Sequence, residues 1–214
     1  MSTWSIFLNN EKRIVHKWKH YFPIYDAFFS RYINRPHMFM EIGCGQGGSL
    51  QLWKNALGPH AQIVGIDIRP ECKKLEEDQI AVRIGSQADD AFLADVLEEF
   101  GSPDIVLDDG SHIMRDIYAS FAFLYPRMSP TGIYMVEDLH TAYWNEYGGG
   151  VRREGSFIET IKRFIDELNA DHTRGVVAPT DFTRSTLGIH LYDSVCVFEK
   201  GRTLNKSALK IGKL

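Results

Sequence analysis

MFMEIGCGQGG, Met38–Gly48, decides how the rest of the chain is read. A short apolar run carrying Glu41 gives way to glycines at 43, 45, 47 and 48, and 46–57 follows with helical character. A strand feeding a glycine turn and then a helix lets backbone amides approach a ligand, with a helix N-terminus behind them. Gly43, Gly45 and Gly48 satisfy G-x-G-x-x-G. That spacing suits a dinucleotide and an adenosyl cofactor equally, and it also occurs in purely structural turns.

Outward from this turn, apolar runs at 38–43, 62–67, 80–84, 103–107 and 132–136 alternate with helical stretches at 46–57, 87–100 and 112–127. Such alternation implies an α/β fold, a doubly wound and mostly parallel Rossmann-like sheet. A further helix is expected over 157–169. The runs 185–192 and 194–200 alternate as a C-terminal antiparallel hairpin at the sheet edge. Upstream, 11–32 reads as one helix, or two joined at Pro23, whose aromatics belong to the core. One catalytic domain over 1–214 is expected, with a helical segment at 1–36, a core at 37–200 and a tail at 201–214 of undecided order.

Composition narrows the function classes. The 214 residues are 44% hydrophobic and 24% charged, as in an ordinary globular domain with a sizeable core. A formal net charge of −4 argues against nucleic acid as a partner. No run reaches the roughly 18 apolar residues of a membrane helix, and residues 1–10 lack a signal-peptide pattern. The three cysteines, Cys44, Cys72 and Cys196, form no C-x-x-C pair, which fits a reducing compartment. A cytoplasmic protein with no membrane partner is therefore expected, its oligomeric state open to homo-oligomers.

In open sheets of this type, ligands bind beyond the carboxyl ends of the strands. Those ends carry Glu41 with Gly43, then Asp67, Gly85-Ser86-Gln87, Asp108-Asp109 and Glu137-Asp138. Asp67 stands about 20 residues past the glycine turn, where an acid takes the hydroxyls of an adenosine ribose; the alternative is a cap ahead of Pro70. Ser86 and Gln87 suit the adenine edge, although Ser86 is equally placed to cap the next helix. Asp108, Asp109, Glu137 and Asp138 would repel one another unless protonated, solvated or neutralised, and an all-oxygen set suits a hard cation such as Mg2+. The alternative makes Asp109 and Asp138 caps of the following turns. His112, at the head of a helix beside these acids, is the candidate general base, with His140 as competitor.

DDGSH at 108–112 and EDLHTAYWNEYGGG at 137–150 resemble the metal-dependent class I methyltransferases of the macrocin and mycinamicin type, which methylate sugar hydroxyls. The similarity extends through KWKHYFPIYDAFF at 17–29, EIGCGQGGSL at 41–50, GIDI at 65–68 and GSQADDAFL at 85–93. It implies S-adenosylmethionine and Mg2+ as cofactors, and a sugar or glycoside acceptor as the small-molecule partner. It places metal ligands on Asp109, Glu137 and Asp138 and the base on His112. Cofactor contacts are then expected from Glu41, Gly43, Gly45, Asp67, Ser86, Gln87 and Asp108, with Tyr21 and Tyr25 along the cleft. His140, Tyr143 and Trp144 would belong to the substrate lid. Longer members carry an additional N-terminal domain, so acceptor identity and assembly do not carry over. Two other readings are a methyltransferase acting on a catechol or other vicinal diol, and an NAD-dependent oxidoreductase sharing the glycine turn and Asp67. A binding module without turnover is the third.

Overall fold

The structure, a computed structural model, describes residues 2–202 and 206–212. Seven strands form one sheet: β1 (His37–Ile42), β2 (Ala61–Asp67), β3 (Ile80–Ile84), β4 (Ile105–Asp108), β5 (Ile133–Val136), β6 (Thr186–Tyr192) and β7 (Val195–Lys200). Their order is β3-β2-β1-β4-β5-β7-β6. Strands β1 to β5 pair in parallel, while β7 runs antiparallel to β5 and β6 antiparallel to β7. The sheet is the expected one, including the hairpin at its edge. β1, β4 and β5 are buried along their whole length. Their sequences HMFMEI, IVLD and IYMV are accordingly near-continuous apolar runs rather than alternating ones.

The helices are α1 (Thr3–Leu8), α2 (Phe22–Phe29), α3 (Gly48–Leu57), α4 (Asp90–Phe100), α5 (Met114–Leu124), α6 (Phe157–Leu168) and α7 (Asp181–Ser185). One face of the sheet packs Phe39, Ile63 and Leu107 against Tyr25, Phe29 and Trp53. The other packs Met40, Val106 and Tyr134 against Phe121, Leu124 and Phe157. Trp53 meets Tyr25 edge-on at 4.9 Å and Phe39 at 5.2 Å between ring centroids, which fixes α2 and α3 on one side of β1. Full burial of each such ring stabilises the fold by roughly 1.5–3 kcal/mol. Asp89 caps α4, accepting from the N–H groups of Ala91 and Phe92, so Ser86 is not that helix's cap.

The N-terminal expectation is corrected. Residues 11–18 are not helical, and Pro23 opens α2 in its first turn instead of joining two helices. The stretch crosses the front of α3: a Cβ built on Gly48 would lie 2.1 Å from the Ile14 carbonyl oxygen. Helix propensity loses here to tertiary contacts. The helices α1 and α7 and the 3-10 turn Pro70–Leu75 lie outside the sequence reading. Part of the tail expected over 201–214 falls outside the described residues. No helix among the described residues is long and apolar enough to cross a membrane.

Candidate functional site

Strand order reverses at β1, which has β2 on one side and β4 on the other, so the crevice opens beyond their carboxyl ends. There the chain turns at Gly43, whose φ of +84° and tight packing exclude a side chain: a Cβ would meet the Asp109 carbonyl oxygen at 2.1 Å. A cavity of about 900 Å3 follows, lined among others by Gly43, Gly45, Asp67, Ser86, Gln87 and His112. Its size suits a nucleoside cofactor.

Asp67 stands at its floor, 8% exposed. Its Oδ2 accepts from the Gly45 N–H at 3.2 Å and from Arg69 Nη2 at 3.1 Å, and its Oδ1 from the Arg69 N–H at 3.0 Å. Burial alone would raise its pKa, but the Arg69 guanidinium and backbone hold it below the usual carboxylate range.

Other expected cofactor residues point elsewhere. Glu41, fully buried, accepts from Ser49 Oγ at 2.6 Å and Trp53 Nε1 at 3.2 Å. Asp108 accepts from Ser120 Oγ at 2.7 Å, Tyr134 Oη at 3.0 Å and Gln87 Nε2 at 3.1 Å. Gln87 lines the cavity, yet its amide is committed inward, its Oε1 accepting from the Ser111 N–H at 2.8 Å. Tyr21 donates to Asp138 Oδ1 at 2.8 Å. Neither Glu41, Asp108 nor Tyr21 is among the residues lining the cavity.

Along the same cavity, Asp109, His112 and Asp138 place one ligand atom each within 4.8 Å of one another. His112 Nε2 lies 3.7 Å from Asp109 Oδ1 and 3.8 Å from Asp138 Oδ2. Neither acid is a helix cap: α5 begins at Met114 without a side-chain cap, and Asp138 makes no cap bond to the turn Leu139–Tyr143. His112 and Asp138 both adopt left-handed backbone, at φ 58° and 53°, uncommon for non-glycine residues and frequent at functional sites.

Glu137 is 1% exposed and deeper. Its Oε1 accepts from Tyr25 Oη at 2.5 Å and its Oε2 from Lys17 Nζ at 2.8 Å. Burial pushes its carboxyl up to about 8, against the pull of Lys17.

Lys17 is the residue that sequence reasoning missed. Its ammonium, with the side chain 3% exposed, sits 2.6 Å from Asp109 Oδ2, 2.8 Å from Glu137 Oε2 and 3.5 Å from Glu41 Oε1. Burial would lower its pKa, but Asp109, Glu137 and Glu41 together hold it well above the usual range. A lysine within a basic run reads as solvated; the only sequence signal for it was an excess of buried acids in want of a cation.

His140 lies apart. Its Nδ1 is 2.7 Å from Ser194 Oγ and 4.0 Å from Asp138 Oδ1, and it does not line the cavity. Its ring packs between Trp18 at 5.9 Å and Trp144 at 4.9 Å, and Trp144 in turn meets Tyr147. Tyr147 reaches His112 at 6.4 Å. Tyr143 and Trp144 are about half exposed, at 52% and 45%, giving an aromatic surface beside the acid cluster.

No protein-family model matches the chain. Over 201 residues it is 38% identical to the mycinamicin VI 2''-O-methyltransferase of Micromonospora griseorubida, covering 86% of this chain and 49% of that protein. Over 197 residues it is 37% identical to a tetracenomycin-C rhamnosyl 3'-O-methyltransferase of Streptomyces olivaceus, covering 86% and 50%. The chain is a relative of the sugar O-methyltransferases. It spans about half the length of these curated relatives. Among solved structures, the mycinamycin-pathway methyltransferase MycE superposes with a TM-score of 0.81 at 34% identity, over 94% of this chain and 53% of that one. That structure contains Mg, SAH and mycinamycin VI. The chain therefore shares the fold of that methyltransferase over the matched part.

Proposed function

We propose that the chain is an S-adenosylmethionine- and Mg2+-dependent O-methyltransferase acting on a hydroxyl of a sugar-bearing acceptor. The observation that carries the proposal is the convergence of Asp109, His112 and Asp138 on the same cavity as a glycine turn backed by Asp67. The donor set fits the cofactors: hard carboxylate oxygens for a divalent ion, and an ionised acid opposite a glycine-rich turn for an adenosyl ribose. Asp109 and Asp138 would hold the ion, with Glu137 joining them only on releasing its Lys17 contact, and Gly43, Gly45, Asp67 and Ser86 would hold the cofactor.

The cofactor would supply an electrophilic methyl group, its C–S bond breaking to leave a neutral thioether as the acceptor oxygen forms the new C–O bond, and the ion would lower the pKa of that hydroxyl. His112 Nε2 takes the hydroxyl proton, and Asp109 and Asp138 stabilise the imidazolium that results. His140, held on Ser194 outside the cavity, is placed instead to shape the lid, where Tyr143 and Trp144 offer exposed ring faces for a sugar. Most of the rate comes from holding acceptor and methyl donor in line within a closed site. A catechol acceptor is the alternative within the same chemistry.

Turnover assays with sugar-bearing and catechol acceptors test the proposal. His112→Ala is expected to lose about 100-fold or more in kcat while keeping cofactor affinity. Near-normal turnover in that variant removes the base assignment, and methylation of catechols alone removes the sugar.

A further inference from the structure

Lys17 has a second connection besides its acids. It lies in the non-helical stretch 11–18, whose residues 11–17 form no backbone-to-backbone hydrogen bond among the described residues. Yet Ile14, Val15, His16 and Lys17 form one wall of the cavity that carries Asp67 and Gly45. The upstream part is held by Arg13, which donates from Nη1 to the Leu75 carbonyl at 2.8 Å and pairs with Glu77 at 3.3 Å. The downstream part is held by the Lys17 ammonium inside the acid cluster. Gly48 lets the strap lie directly on the first turn of α3, since a Cβ there would meet Ile14 O at 2.1 Å and Arg13 O at 2.6 Å.

We propose that Lys17 is a positioning residue: by seating its ammonium on Asp109, Glu137 and Glu41 it pins the strap as the outer wall of the cofactor cavity. Asp109, which lines the cavity, thus also anchors one of its walls. The strap cannot rely on backbone pairing, and an ammonium in a buried ring of carboxylates is a strong anchor, because its removal leaves uncompensated charge behind. This inference rests on reading the cavity as the cofactor site.

The experiment has two arms, both run with chelator so that no metal contributes. Limited trypsin digestion with mass spectrometry follows cleavage after Lys12 and Arg13. Calorimetry follows binding of S-adenosylhomocysteine. Lys17→Met is expected to be cut faster in the strap and to bind about tenfold or more weakly, and Lys17→Arg, which keeps the charge, is expected to recover much of both. Should Lys17→Met not fold, Gly48→Ala displaces the strap from its other side without touching an acid, and the same two changes are expected. Unchanged strap cleavage in the variants overturns the anchoring. Unchanged affinity in the face of faster cleavage overturns the strap's part in the cavity. Wild-type protein that binds no S-adenosylhomocysteine overturns the cofactor reading instead, and the protease arm then judges the anchoring alone.

Discussion

Tyr25→Phe removes one oxygen from a fully buried side chain and leaves its packing intact. The ring still lies 5.9 Å from Phe29 and 4.9 Å from Trp53. What is lost is the donor to Glu137 Oε1 at 2.5 Å, in a carboxylate only 1% exposed. A hydrogen bond to a charged group contributes about 1.5–3 kcal/mol, and water does not reach this acceptor to replace it. At about 2–4 °C per kcal/mol for a domain of this size, the melting temperature should fall by roughly 3–12 °C at alkaline pH, where Glu137 is ionised. Tyr21→Phe provides the control. Its hydroxyl donates to Asp138 Oδ1 at 2.8 Å, but that acid is 24% exposed, so water substitutes and the loss stays below about 1 kcal/mol.

The sign with pH follows from Glu137, whose carboxyl is pushed up chiefly by burial, against Lys17, while the Tyr25 bond favours its ionised form. Removing that bond therefore costs most at alkaline pH, where Glu137 is ionised, and least where Glu137 is protonated. Urea and thermal denaturation of both variants across pH, with chelator present, measure this. Equal losses in the two variants, or a Tyr25→Phe loss under about 0.5 kcal/mol, would refute the reasoning from burial.

Three further substitutions test the turn and the Asp67 side of the cavity. Gly43→Ala sets a Cβ against the Asp109 backbone at φ +84°, whereas Gly45→Ala at φ +52° meets nothing within 4 Å. Urea denaturation should therefore show a loss of about 2 kcal/mol or more for the first and about 1 for the second; equal losses contradict the close approach. Arg69→Gln should flatten the acid limb of the stability curve. The folded Asp67 carboxyl lies below its unfolded value of 3.8, so its contribution is present above that pH and fades as pH falls through the folded value. Because the guanidinium is half exposed, the effect is about 1 kcal/mol or less, and an unchanged acid limb removes Arg69 as the cause.

The sheet was legible because buried parallel strands are written as apolar runs ending in polar residues. MFMEIG, QIVGID and the stretch to Asp108-Asp109 marked the strands and their polar rim, while the strand order came only with the structure. The acids at the rim were legible as a group, but not their individual orientation. Glu41 and Asp108 sit on the same strand ends as cavity residues, yet Trp53, Ser49, Ser120 and Tyr134 turn them inward. Those partners come from helices and a strand that no local pattern pairs with them. The strap was illegible for a related reason. Its conformation is set by Lys17 reaching acids at 109 and 137, and by Gly48 accepting its backbone, contacts made across the fold and not along the chain.

The central claim is that one cavity joins an adenosyl cofactor to a divalent ion, and calorimetric titration tests it most directly. S-adenosylmethionine is titrated into wild-type protein and Asp109→Ala, each with Mg2+ and with chelator. The account predicts cofactor binding in both proteins and a separate Mg2+ heat that Asp109→Ala abolishes. Absence of cofactor binding under every condition, or an Mg2+ heat undiminished in Asp109→Ala, would contradict it.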